Sequence, residues 1–118
     1  MEAYPPILDA TCGARMMWFN KKNPLCLYVD RRELRQMKLC DGRKFEIIPD
    51  VLADFTALPF PDESFYLVVF DPPHLIRVGD DAYMAIKYWK IQDDWRDVIK
   101  AGFGECMRVL KQKRNPDI

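Results

Sequence analysis

The chain has 118 residues, 49% of them apolar, with eighteen basic side chains balanced by eighteen acidic ones. That length and apolar share predict one domain, 1–118, with a core of its own and no second domain. Zero net charge lacks the overall basic excess of a protein whose affinity comes from neutralising phosphates, so nucleic acid is neither excluded nor suggested. Cys12, Cys26, Cys40 and Cys106 stand far apart and His74 is the single histidine, so no zinc set forms and no metal is expected. The thiols read as reduced core residues of an intracellular protein. No apolar stretch is long enough to span a bilayer and no basic, apolar leader opens the chain, so no membrane partner and a cytoplasmic location are expected.

Ile7 and Leu8 form a short strand running into Asp9, Ala10, Thr11, Cys12 and Gly13, and Ala14 to Asn20 follow as a short helix. Cys26 to Val29 make a second strand ending at Asp30, so strand, crossover and strand repeat the βαβ pattern. Between Gln36 and Ile47 apolar residues alternate around Asp41 and Gly42, which signals a hairpin; a helix capped by Gly42 is the rival. A third strand runs from Asp50 to Ala53 and ends at Asp54. Leu58 to Asp62 is a loop stiffened by prolines, and Ser64 to Phe70 is the fourth strand, ending at Asp71, Pro72, Pro73 and His74.

Beyond the prolines, Ile76 to Gln92 is polar and aromatic, with room for a short helix. From Asp94 the residues Trp95, Val98, Ile99, Phe103, Cys106, Met107 and Leu110 recur at helical spacing, with Asp93 or Asp94 as cap. Gly102 and Gly104 each cost about 1 kcal/mol against alanine within a helix, which suggests close packing on a sheet.

Four strands therefore end in an acid, at Asp9, Asp30, Asp54 and Asp71. Solvated charges would scatter over exposed faces, whereas these recur at one position of each unit and are expected to line one crevice. Asp30, roughly 20 residues beyond the first turn, stands where a carboxylate accepts the ribose hydroxyls of a nucleoside. Asp9 and Asp54 have a plainer alternative as caps of Asx turns. Cys12 reads as a small turn residue rather than a nucleophile, since no histidine lies near it in sequence to activate it.

Taken together, ILDATCG at the first turn, Asp30, ADFTALPFPDESFYLVVFDPP and GECMRVLK resemble the class I S-adenosylmethionine-dependent methyltransferases, over Ile7 to Lys111. The Asp-Pro-Pro element is similar to that of the amino-group enzymes, with His74 in the position of their aromatic, and short phage-like members look closest. The resemblance implies an α/β, Rossmann-like fold with a partial parallel sheet, order 3-2-1-4, and flanking helices. It further implies that Asp9, Ala10 and Gly13 shape the turn against the methionine moiety of S-adenosylmethionine, Asp30 holds the ribose, and Asp54 and Phe55 lie beside the adenine. Asp71, Pro72, Pro73 and His74 would hold the methyl acceptor, a nucleobase or protein amide nitrogen. His74 has three readings: stacking on a flat acceptor, shuttling its proton, or sitting at a surface turn. Tyr83, Tyr88 and Trp89 are either a lid over the acceptor or core contacts.

The pattern departs from the family at Arg15, which stands where a second glycine would let the cofactor approach the backbone. It departs again after Lys111, where the family continues with Pro-Gly-Gly and further strands and this chain runs Gln112 to Ile118. A shortened domain is the expectation, with Val68 to Phe70 as an apolar sheet edge that invites a homodimer or leaves the chain unstable in isolation. Two alternatives of other classes stand beside the enzyme: a non-catalytic remnant that binds a cofactor or partner at most, and a nucleotide-dependent oxidoreductase, disfavoured because the three-glycine dinucleotide fingerprint is missing.

Overall fold

The computed structural model describes residues 4–38, 41–72 and 95–112. Within them the chain forms β1 (Ile7–Asp9), β2 (Cys26–Asp30), β3 (Leu34–Lys38), β4 (Lys44–Ile47), β5 (Val51–Leu52), β6 (Leu67–Val69) and the helix α1 (Trp95–Val109). Four strands make a parallel sheet in the order β5-β2-β1-β6, while β3 and β4 form a separate antiparallel hairpin. The architecture is α/β. Its strand order differs in label from 3-2-1-4 because the hairpin adds two strands to the chain between β2 and β5 and none to the sheet.

The sheet's two faces follow from strand alternation. Leu8, Ala10 and Val29 face α1 and join Phe55, Phe65 and Val109 in the main core, with Val68 and Phe70 packed against it. Ile7 and Tyr28 face the other way, where Cys12, Cys26 and Trp18 complete a smaller cluster. By the same alternation Asp9 and Asp30 share that second face.

The helix α1 runs as the periodicity predicts, with Asp97 in its first turn and Arg108 in its last, each suited to the helix dipole. Its buried face is offset from the expected stripe. Gly102, Cys106 and Val109 are buried, whereas Phe103 and Met107 are exposed. A Cβ on Gly102 would lie 2.4 Å from the Phe55 ring and 2.8 Å from that of Phe70, so the missing side chain is what lets α1 settle on these rings. Gly104 has nothing within 4 Å of the same position and is no packing residue, contrary to expectation.

Glu105 and Arg108 fasten the proline loop to this helix. Glu105 Oε1 accepts from Leu58 N at 2.8 Å, and Arg108 donates to Phe60 O at 2.7 Å and Leu58 O at 3.0 Å. Backbone groups that loop prolines keep out of regular pairing thereby find partners.

Other elements depart from expectation. Residues 14–20 form successive turns and no helix, because Gly13 and Arg15 adopt left-handed φ values of 51° and 61° that an α-helix cannot contain. The hairpin forms, with Gly42 at φ 86° in its turn and an irregularity between Leu34 and Met37 where Gln36 takes φ 57°. The third strand of the sheet shrinks to Val51–Leu52 and the fourth to Leu67–Val69.

The chain leaving α1 does not run free of the sheet. Phe65 and Leu110 form a parallel bridge, with Phe65 N donating to Val109 O and Lys111 N to Phe65 O. Among the described residues no strand follows it along the outer edge of Leu67–Val69. Asp93, Asp94, the stretch 76–92, Tyr83, Tyr88 and Trp89 lie outside the described residues, as do Pro73, His74 and Cys40. No helix among the described residues is long and apolar enough to cross a membrane.

Candidate functional site

The sheet order sets four carboxylates side by side. Reading across the carboxyl ends of β5, β2, β1 and β6, Asp54, Asp30, Asp9 and Asp71 follow in that order, Asp30 and Asp9 as last strand residues and the outer pair two residues beyond. The chain's direction of progress reverses between β1 and β6, the switch point at which open parallel sheets leave a crevice for ligands. Asp71 N donates to Thr11 Oγ1 at 2.8 Å across that point, so the loops after β1 and β6 are tied together at the crevice.

Asp9 is 3% exposed, and its carboxylate accepts from Thr11 N at 3.1 Å and from Trp18 Nε1 at 2.7 Å. Burial pushes its pKa up, and the neighbouring charges of Asp30 and Asp71 add to the rise, against the two hydrogen bonds. Asp30 is as buried. Its Oδ2 accepts from Gly13 N at 2.8 Å, and its Oδ1 from Arg32 N at 2.9 Å and, at a longer 3.4 Å, from Arg32 Nε. Asp54 closes an Asx turn onto Thr56 N and Oγ1 and lies 4.0 Å from Arg31. The turn-capping alternative thus describes contacts that Asp9 and Asp54 make, at carboxyl ends of strands of the same sheet. Asp71 is exposed.

Gly13 meets the need for a left-handed turn after β1. Arg15 adopts the same region although it is not glycine. Its side chain offsets that strain. The guanidinium lies 3.8 Å from the centroid of the Tyr28 ring, donates to Lys21 O and Ile48 O at 2.6 and 2.7 Å, and sits 3.7 Å from Asp50. Arg15 therefore holds a left-handed backbone and spends its side chain joining the β1–β2 connection to the residues after the hairpin.

Two expected site residues are buried away from the crevice. Ala10 is 2% exposed and Phe55 3%, both in the core under α1, and the Phe55 ring meets that of Phe70 edge to face at 5.1 Å. A ligand ring has no access to the Phe55 side chain as it stands. Pro72, three residues past β6, is half-buried, and Pro73 and His74 are among the undescribed residues.

Cys12, Cys26 and Cys106 are free and buried. Burial raises the thiol pKa of all three, Cys26 to about 12 and Cys106 to about 11, and the Asp30 and Asp9 charges raise Cys12 further. None is a thiolate at neutral pH, which suits the reading of Cys12 as a turn residue. Among the described residues no group of histidine, cysteine and acids could hold a metal ion.

Thr11, Trp18, Arg32 and Asp50 are site components that sequence reasoning passed over. For Trp18 a signal existed, since an indole N–H inside a domain needs an acceptor and Asp9 was the nearest candidate acid upstream. Thr11 had none, because its Asp71 partner depends on which strands are neighbours, whereas Arg32 meets Asp30 only two residues before it, a local contact. No family model matches the chain, and neither a curated protein nor a solved structure matches it.

Proposed function

We propose that this chain is a Rossmann-like, S-adenosylmethionine-dependent methyltransferase domain acting on an amino nitrogen. The observation that carries the reading is the row of Asp54, Asp30, Asp9 and Asp71 along adjacent parallel strand ends, at the switch point and beside a left-handed glycine turn. S-adenosylmethionine supplies an electrophilic methyl group on a sulfonium centre. A crevice in which the buried Asp9 and Asp30 already repel each other favours a cationic ligand, and a sulfonium with its amino group is one.

The donor set fits the parts of such a ligand. Asp30 offers ribose hydroxyls an acceptor, and its 3.4 Å contact with Arg32 Nε is the one they would replace, being the longest on that carboxylate. Asp9 and Gly13 border the space for the methionine end, and Asp54 stands two positions away in the row for the adenine amino group. Asp71, exposed at the far end, accepts from the acceptor NH₂ and orients its lone pair, with Pro72 stiffening the loop that follows. Positioning and charge complementarity supply most of the catalysis for an in-line displacement of this kind. Ala10 and Phe55 support the crevice from the core rather than lining it.

A second reading, the remnant that keeps the fold without turnover, draws on the same Asp30, whose oxygens are both occupied by Gly13 and Arg32. Calorimetry with S-adenosylmethionine and, as a control, NAD separates the two. Binding of the first alone supports the enzyme, and binding of neither supports the remnant. Asp71→Ala is expected to lower methyl transfer to an amino acceptor at least about a hundredfold, the scale of one lost transition-state contact, while cofactor affinity stays within about twofold. Equal turnover in the variant would sink the acceptor role.

A further inference from the structure

Zero net charge conceals a segregation along the chain. From Arg15 to Lys44 there are nine basic residues and three acidic ones, a local excess of six positive charges that the remaining residues balance. Lys21, Lys22, Arg35, Lys38, Arg43 and Lys44 are exposed, whereas one of the three acids, Asp30, is buried. The ion pairs on this surface include Arg35 with Glu33, Arg43 with Asp41 and Lys44 with Glu46 at 3.3 Å; the basic partner is solvent-exposed in each, and Glu46 is half-buried. Pairs of that kind contribute about 0–1 kcal/mol and exchange readily for another anion.

Some of these basic residues are drawn together in space, Lys38 standing opposite Lys44 in the hairpin register. Arg15 joins Lys21 O to Ile48 O, and a cavity of about 390 Å³ is lined by Lys21 and Lys22 from the β1–β2 connection and by Glu46 and Ile48 from the hairpin. Beside the lysines Phe19 is wholly exposed, with Met16 and Met17 more than half so. A solvated aromatic next to a cationic groove is the arrangement on which unpaired bases stack while phosphates are held alongside. Arg31, directly after Asp30, carries the basic surface to the crevice, where it meets Asp54.

We propose that the β3–β4 hairpin and the Phe19 to Lys22 loop form a polynucleotide-binding face, with phosphates on Lys22, Lys38 and Lys44 and an unpaired base on Phe19. The proposal rests on the methyltransferase reading only in making a nucleobase amino group the acceptor. An anionic membrane is less well suited, since the face is built from a hairpin and a loop rather than an amphipathic helix, and an acidic peptide would leave Phe19 without a flat partner.

The test uses the full chain and a labelled single strand of about 20 nucleotides, its duplex, and vesicles containing phosphatidylserine, over a salt series starting near about 50 mM. The single strand should bind best, with an affinity that falls steeply as salt rises. Lys22→Gln, Lys38→Gln and Lys44→Gln together should weaken it roughly tenfold or more and flatten the logarithmic salt slope by about 2, at ~0.7 per phosphate contact. Phe19→Ala should cost roughly tenfold and leave the slope unchanged. Removing three charges from the α1 side instead, by Arg96→Gln, Lys100→Gln and Lys111→Gln, should change affinity by less than about twofold.

No binding at low salt, an equal loss in the α1 control, or tighter binding to vesicles than to the single strand would overturn the proposal. Calorimetry with S-adenosylmethionine on the same protein keeps the two readings apart. Polynucleotide binding without cofactor binding leaves this face standing and removes the enzyme, and the converse result does the opposite.

Discussion

The two faces of the parallel sheet are covered by different physics. On one, a fifteen-residue helix packs apolar side chains against Leu8, Val29 and Phe65, so close that Gly102 touches two phenylalanine rings. On the other, an irregular connection is held by named polar contacts, Trp18 to Asp9 and Arg15 to Tyr28, Lys21 and Ile48. Apolar packing is non-directional and tolerates many sequences, whereas hydrogen bonds to a buried carboxylate fix a loop in one place. The strand-end acids Asp9 and Asp30 lie on the second face. The strand-end acids thus stand on the face whose covering connection is held by directional contacts, and the packed face is covered by the regular helix.

The sharpest way to break that contrast is to disturb the packed face. Gly102→Ala adds a Cβ that has no room, 2.4 Å from Phe55. It should destabilise the chain by about 3 kcal/mol, the upper end for overpacking, even though alanine favours a helix by about 1 kcal/mol. Gly104→Ala, with open space around it, should instead stabilise by up to about 1 kcal/mol. Urea unfolding of both variants measures the difference. Equal effects at the two glycines would mean that α1 does not seat on Phe55 and Phe70.

How far the sequence spoke for itself follows the same division. Strand alternation and helical spacing made β1, β2 and α1 legible, and the Asp-Gly pair made the hairpin legible, because each signal is local. The row of strand-end acids was legible too, since parallel strands bring like positions of successive units together. What escaped depends on neighbours. The helix expected over 14–20 fails at Gly13 and Arg15, whose left-handed backbones answer to Asp30 and Tyr28. The Phe103 and Met107 stripe fails because Gly102, lacking a side chain, counts for nothing in a hydrophobic pattern yet marks the contact face. Charge averaged over the chain likewise hid the basic run between Arg15 and Lys44.

On the polar face the largest effect is expected at Trp18. Trp18→Phe keeps an aromatic against Tyr28 but removes the donor 2.7 Å from Asp9 Oδ2, leaving a buried carboxylate short of a partner. The loss should be about 2 kcal/mol near neutral pH, the scale of a hydrogen bond to a charged group. Its pH dependence has a definite sign. The folded pKa of Asp9 already lies above 3.8, and losing the indole raises it further. A raised folded pKa makes the protonated form the favoured one, so stability rises as pH falls through that pKa toward the unfolded value. The penalty of Trp18→Phe should therefore shrink on acidification. A penalty constant from neutral pH to about pH 4 would mean that Asp9 is not the group the indole serves.

The smallest effect separates the two jobs of Arg15. Replacing it by either alanine or glycine removes the same guanidinium contacts to Tyr28, Lys21 O and Ile48 O. Only alanine keeps the cost of a φ of 61°, which glycine adopts freely. Arg15→Ala should therefore be less stable than Arg15→Gly by about 1 kcal/mol, the usual excess for a side chain in left-handed backbone. The gap counts only the backbone, since the side-chain losses cancel between the variants. A measured gap near zero would mean that the turn relaxes once the guanidinium is gone, and that the Arg15 contacts, rather than the demand of the turn after β1, hold the backbone left-handed. A gap of the expected size assigns the conformation to the turn itself, with the arginine offsetting its cost by fastening the polar face to the hairpin.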